Sequence, residues 1–230
     1  MNLLRLAEKT AVRIAHRVSA PHRRFVLRRS LKQVAHSSAN CELPSPIVND
    51  LIYGWGNHPW SAKPEFIQAM VQAAWQAKAP ILECGSGLST LLLGLVAGRT
   101  GQRVWTLEHN AAWANKLQKA LVRHKIYSVE ICLAELRDYR SYVWYAAPKD
   151  RMPTNFSLVV CDGPPGNTRG GRYGLIPQMR THLHAGCVIL LDDASRPAEQ
   201  ELLKRWSHEL GSSCMISGSS KPFGRLVVAA

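Results

Sequence analysis

The sequence predicts an α/β fold built on a doubly wound, mostly parallel sheet of seven strands, and three observations carry that prediction. From about residue 41, short apolar runs alternate with helix-like stretches, the pattern of βαβ crossovers in a sheet covered on both faces. The last two strand-like runs are separated only by a Gly/Ser/Pro turn region, which reads as an antiparallel hairpin closing the sheet. The 230 residues, 46% hydrophobic and 20% charged, suffice for one core of this kind and are too few for two ordinary catalytic domains.

Taken in order, the apolar runs at 79–83, 104–107, 129–133, 158–161 and 187–191 are the expected parallel strands. Helix-like stretches lie between and after them at 88–97, 111–124, 175–184 and 198–210. In the last of these, Leu202, Leu203, Trp206 and Leu210 recur at helical spacing. Runs at 214–216 and 225–228 form the closing hairpin. The longest uncharged apolar stretch, residues 84–98, has 15 residues, short of the roughly 20 that a membrane helix needs. Six cysteines, at 41, 84, 132, 161, 187 and 214, form no CxxC pair. Reduced, buried thiols in a cytoplasmic protein are the simplest account.

Charge divides the chain into a basic amphipathic extension, 1–40, and a domain, 41–230. Lys and Arg total 29 against 16 acids, and residues 1–36 alone hold nine bases and one acid. There Leu3, Leu4, Leu6, Val12, Ile14 and Val18 interleave with Arg5, Lys9, Arg13 and Arg17, ahead of Pro21 and a second cluster, Arg23, Arg24, Arg28 and Arg29. Arginines interrupt every candidate apolar core, so a secretory signal is not expected. A helix on an anionic membrane surface, an arm touching nucleic acid, a solvated helix without a partner and an organellar transit peptide all fit this pattern. The rest of the chain is only mildly basic, which disfavours a nucleic-acid binder throughout.

In sheets of this kind ligands bind beyond the carboxyl ends of the strands. After the first strand comes Glu83-Cys84-Gly85-Ser86-Gly87-Leu88-Ser89-Thr90, where two glycines allow a sharp turn and close backbone approach to a ligand before a helix begins. Glu108 lies 23 residues past Gly85 at the end of the second strand, the distance at which a carboxylate reaches two ribose hydroxyls. Glu83 just before the loop serves a pyrophosphate poorly and a cationic amino-acid group well. On these residues the chain from 79 to 230 resembles the class I S-adenosylmethionine-dependent methyltransferases, which are Rossmann-like: Glu83 to Gly87 match the family's acid-x-Gly-x-Gly motif and Glu108 its ribose-binding acid.

The resemblance implies that S-adenosylmethionine is the cofactor, with Gly85, Ser86, Gly87 and Ser89 facing it, Glu83 orienting its amine, Glu108 taking the ribose, His109 forming a wall and Glu135 bordering the adenine. The fourth strand ends in Cys161-Asp162-Gly163-Pro164-Pro165-Gly166, a rigid turn that projects Asp162. The fifth ends in Asp192-Asp193. By resemblance to the divalent-metal-dependent O-methyltransferase branch, Asp162, Asp192 and Asp193 would hold Mg2+. Alternatively Asp162 acts as general base, and Asp192 or Asp193 serves the start of the following helix.

For the acceptor, Trp55, Asn57 and His58 lie where this family often builds a lid, and Arg169, Arg172 and Tyr173 could bind an anionic group or be solvated loop residues. Asp162-Gly163-Pro164-Pro165 has an acid and lacks the aromatic of the Asn-Pro-Pro-Tyr-like signature that amino-group methyltransferases carry, so the resemblance implies that amino-group transfer is disfavoured. The expected reaction is O-methylation of a small-molecule, lipid-linked or glycan hydroxyl by direct displacement. An NAD-dependent oxidoreductase and a non-catalytic nucleoside-binding module tethered by the basic extension remain alternatives. A cytoplasmic protein, peripheral at the membrane if the extension binds there, is the expected setting.

Overall fold

A computed structural model describes residues 20–38, 42–57, 62–219 and 221–229. Three helices precede the sheet: α1 over residues 20–35, α2 Ser45–Trp55 and α3 Pro64–Gln76. The expected alternation follows, with β1 Ile81–Cys84, α4 Leu88–Thr100, β2 Val104–Glu108, α5 Ala111–Arg123 and β3 Val129–Leu133. A small separate hairpin, β4 Leu136–Asp138 and β5 Val143–Tyr145, leads to β6 Phe156–Cys161, α6 Leu175–Met179, β7 Leu183–Leu191 and α7 Pro197–Leu210. The hairpin β8 Cys214–Ser217 and β9 Phe223–Val227 closes the sheet.

The seven-stranded order is β3-β2-β1-β6-β7-β9-β8, parallel as far as β7 and antiparallel beyond it. β1 is buried at all four positions, as a strand covered on both faces must be, and the acid Glu83 is the single charged residue that interrupts its apolar run. Its side chains divide between two cores. Ile81, with Leu158 and Val160, joins the core under α1–α5, while Leu82 and Cys84, with Val159 and Cys161, join the core under α6, α7 and the small hairpin. α4 is apolar almost all round because it lies between the sheet and α3. Local signals set the helix ends: Asn110 Oδ1 accepts the Trp113 amide at 3.0 Å to start α5, Pro197 opens α7, and Gly211 ends it at φ +60°. Cys84, Cys132, Cys161 and Cys187 are buried free thiols.

Two expectations change. The helix expected over 175–184 stops at Met179, passes through one 3-10 turn at Arg180–His182, and gives way to β7, which starts at Leu183. The basic extension is also not a free arm as far as residue 40. Leu27, Leu31 and Val34 of α1 are buried in the first core, so the domain's packing begins at least as early as residue 27. Apolar residues at helical spacing sink one face of α1, while Arg24, Arg28 and Lys32 stay exposed on the other. Residues 1–19 of the expected arm lie outside the described residues. Among the described residues, no helix is long and apolar enough to cross a membrane.

Candidate active site

The carboxyl ends of β1, β2, β6 and β7 open into one cleft of about 940 Å³. Its first half is built by the loop after β1. Gly85 sits at φ +85°, and a Cβ there would lie 2.9 Å from the Gly163 nitrogen, so only glycine lets the β1 and β6 loops approach this closely. The amides of Asp162 and Gly163 both donate to the Cys84 carbonyl, at 3.0 and 2.7 Å, locking the two loops together. Ser86, Gly87, Leu88 and Ser89 line the cleft where α4 begins.

Glu83 is not in the lining. It lies beneath the loop, 1% exposed, where the Thr90 and Thr106 hydroxyls donate to its Oε2 at 2.7 and 2.8 Å. Burial pushes its carboxyl up to about 7 against the pull of those hydroxyls. Glu108 does line the cleft, and its carboxylate is fixed from both sides: Ser86 Oγ donates to Oε2 at 2.6 Å and the Asn110 amide to Oε1 at 2.7 Å. His109 follows it in the wall, tilted against Tyr145. Trp113 donates its indole N–H to the Ser86 carbonyl at 2.9 Å and meets Trp55 of α2 edge to face. The Lys116 ammonium lies over both indoles. Asn57 also lines this half.

The second half is a compact charge cluster. Arg172, 2% exposed, donates to the backbone carbonyls of Asp192 (2.8 Å) and Asp162 (2.7 Å), tying the tips of β7 and β6 together. The same guanidinium reaches Asp162 Oδ1 at 3.0 Å and Asp193 Oδ2 at 2.9 Å, with Glu199 Oε1 3.6 Å away. Lys221, from the β8–β9 turn, contacts Asp193 Oδ1 at 2.6 Å and Asp192 Oδ2 at 3.2 Å. Arg196 adds a third cation, 2.7 Å from Asp193 Oδ2. Asp193 itself takes a left-handed backbone, φ +64°, a strained conformation that recurs at functional sites. Burial, opposed by Arg172 and Lys221 and helped by the neighbouring Asp192 and Asp193, pushes the Asp162 carboxyl up to about 7. Against its own burial, hydrogen bonds from Lys221 and Arg172 hold Asp193 below the usual range.

The cleft therefore gathers Gly85, Ser86, Gly87, Ser89, Glu108, His109, Trp55, Asn57, Asp162, Arg172, Asp192 and Asp193. Glu135 is exposed on the β3–β4 connection and does not line it. Arg169 pairs with Asp138 on the surface, and Tyr173 bonds Glu209 and Arg205, so neither reaches the cleft. Arg172 reaches it, but its charge already answers the aspartates rather than an anionic acceptor. His58 lies outside the described residues. Sequence reasoning missed Asn110, Trp113, Tyr145, Arg196, Glu199 and Lys221. Asn110 carried a legible signal, a capping residue two places after Glu108; Lys221 carried none.

The aspartates do not fit Mg2+. Oxygens of Asp162, Asp192 and Asp193 come within 4.8 Å of one another, but Arg172 and Lys221 already stand among them. A hexacoordinate ion needs oxygens at about 2.1 Å, which places it against these cations.

Comparison with known proteins bears on the fold. No protein-family model and no curated protein matches the chain. Among solved structures, an O-methyltransferase from Bacillus cereus in complex with SAH matches with a TM-score of 0.55 at 17% identity, over 87% of this chain and 90% of that one. A precorrin-6y C5,15-methyltransferase from Geobacter metallireducens GS-15 matches with a TM-score of 0.54 at 11% identity, covering 74% of this chain and 91% of that one. The C-terminal domain of a precorrin-6Y C5,15-methyltransferase from Rhodobacter capsulatus matches with a TM-score of 0.53 at 15% identity, over 74% and 91%. The chain has the α/β fold that these methyltransferases share.

Proposed function

We propose that the protein is an S-adenosylmethionine-dependent methyltransferase acting on the hydroxyl oxygen of a small-molecule, lipid-linked or glycan acceptor. The observation that carries this reading is the Glu108 carboxylate, fixed by Ser86 and Asn110 in the same cleft that Asp162 lines. Glu108 would take the ribose hydroxyls, the backbone at Gly85 to Gly87 would pass beside the amino-acid end, and Trp55 and Trp113 would wall the site. The cofactor supplies an electrophilic methyl group on a sulfonium. At the other end, Asp162 lines the cleft with its side chain 36% exposed, which supports a role as the group that would receive a proton. The bound cofactor would give up its methyl group and keep the carbon–sulfur electron pair, while Asp162 would hold the acceptor hydroxyl and take its proton. Four acids face three cations around this end, so a neutral acceptor suits it better than an anionic one.

Calorimetric titration with S-adenosylmethionine, S-adenosylhomocysteine and NAD tests the reading. Micromolar binding of the first two supports it, and binding of NAD alone overturns it. Asp162→Ala is expected to keep cofactor affinity and to slow transfer by at least about a hundredfold; unchanged turnover removes Asp162 from the mechanism. The exposed Arg24, Arg28 and Lys32 of α1, with Phe25 beside them, support a peripheral contact with an anionic membrane surface.

A further inference from the structure

The acidic end of the cleft is unusual in what stands between its carboxylates. Five of the six oxygens of Asp162, Asp192 and Asp193 already have a partner. Asp162 Oδ1 meets Arg172, both Asp193 oxygens meet cations, Asp192 Oδ2 meets Lys221, and Asp192 Oδ1 accepts the Asp193 amide at 2.7 Å. Arg172 cannot swing away. It is 2% exposed, and its two terminal nitrogens are each anchored on a strand-end carbonyl as well as lying near carboxylates. Lys221 can, since it is 24% exposed, lines the cleft and comes from a turn. That turn is itself held, because the Ser219 amide and hydroxyl donate to the two oxygens of Glu65 on α3 at 2.9 and 2.6 Å.

We propose that Arg172 and Lys221 stand in the place of a divalent cation, making the aspartate cluster a metal-independent, internally neutralised platform that holds Asp162 at the cleft, with Lys221 as a positioning residue. This rests on the transferase reading for what Asp162 does, and not for the exclusion of metal. Two neighbouring carboxylates repel unless a cation lies between them. Here the chain supplies that cation from two loops, one before α6 and one between β8 and β9, so the cluster assembles as the fold closes. An ion entering the cluster would have to displace an ammonium and sit beside a guanidinium that stays.

The test is Mn2+ binding to the 230-residue chain, followed by calorimetry and by the paramagnetic resonance of free Mn2+, with and without S-adenosylhomocysteine. The wild type is expected to show no binding at submillimolar Mn2+. Lys221→Met frees one oxygen each of Asp192 and Asp193, and is expected to raise Mn2+ affinity at least tenfold while leaving S-adenosylhomocysteine affinity within about threefold. A merely structural lysine would not produce that gain. Submillimolar Mn2+ binding by the wild type, or no gain in a Lys221→Met protein that still melts cooperatively, overturns the proposal. Failure of the wild type to bind S-adenosylhomocysteine is a separate result, which sinks the transferase reading and leaves the metal result standing. Arg172→Met leaves carboxylates facing one another in the interior and is expected to unfold, so the test is placed on Lys221.

Discussion

Replacing Leu31 by alanine asks whether the basic helix belongs to the core. Leu31 is 3% exposed and is buried together with Leu27 and Val34 in the core shared with α2, α3 and α4. Truncation removes three carbons, about 2.4 kcal/mol at roughly 0.8 kcal/mol per buried methylene. The cavity left behind raises the expected loss to about 3 kcal/mol, inside the roughly 2–5 kcal/mol range of such substitutions. For a chain of this size each kcal/mol shifts the melting temperature by about 2–4 °C, so Leu31→Ala should melt about 6–12 °C below the wild type. Phe25→Ala, on the same helix but 65% exposed, is the control and should stay within about 0.5 kcal/mol. Differential scanning calorimetry of the three proteins measures both. If Leu31→Ala melts with Phe25→Ala and the wild type, α1 is not packed as described, and the extension is a free arm after all.

Four further outcomes follow from the same geometry. Glu108→Gln weakens the charge-assisted acceptor aimed at a ribose and should lower S-adenosylhomocysteine affinity by about 10- to 100-fold in a calorimetric titration. Gly85→Ala forces a left-handed backbone and a Cβ against Gly163, so its melting temperature and cofactor affinity should both fall; wild-type values would mean the loops have room to part. Glu83 keeps its proton up to about pH 7 in the fold but loses it near its ordinary 4.5 when unfolded, so its contribution is full below pH 4.5 and is lost as pH rises through 7, about 3 kcal/mol in all. Denaturation at pH 5 and pH 8 should show a smaller drop in Glu83→Gln than in the wild type. Reversing Arg24, Arg28 and Lys32 to glutamate should abolish any salt-sensitive binding to phosphatidylserine vesicles in a sedimentation assay.

The parallel sheet is readable because its central strands are buried on both faces and show as apolar runs, the ends of β6 and β7 most clearly. The hairpin β4–β5 is not, since three-residue strands carry too little pattern to separate from loop. The basic helix misled for a different reason: nine bases in 36 residues dominate the composition, while the few buried leucines and valines that dock α1 carry the energy. At the site, the positions of Glu108 and Asp162 at the cleft are legible because each stands at the end of a recognisable strand. Arg172 reads in the sequence as a cation for an anionic group or as a solvated loop charge, because only the three-dimensional meeting of the β6 and β7 tips shows which carboxylates it answers. Lys221 follows Asp193 by 28 residues in an unremarkable turn, and no local rule links the two.

The bond between Ser219 and Glu65 ties the helical layer that precedes the sheet to its last turn. The same layer contributes Trp55 to the wall at the opposite end of the cleft. One slab of helices thus grips the cleft at both extremities, with its arginine-studded face turned outward. One helical layer therefore borders both the wall beside Glu108 and, through Ser219, the turn that carries Lys221.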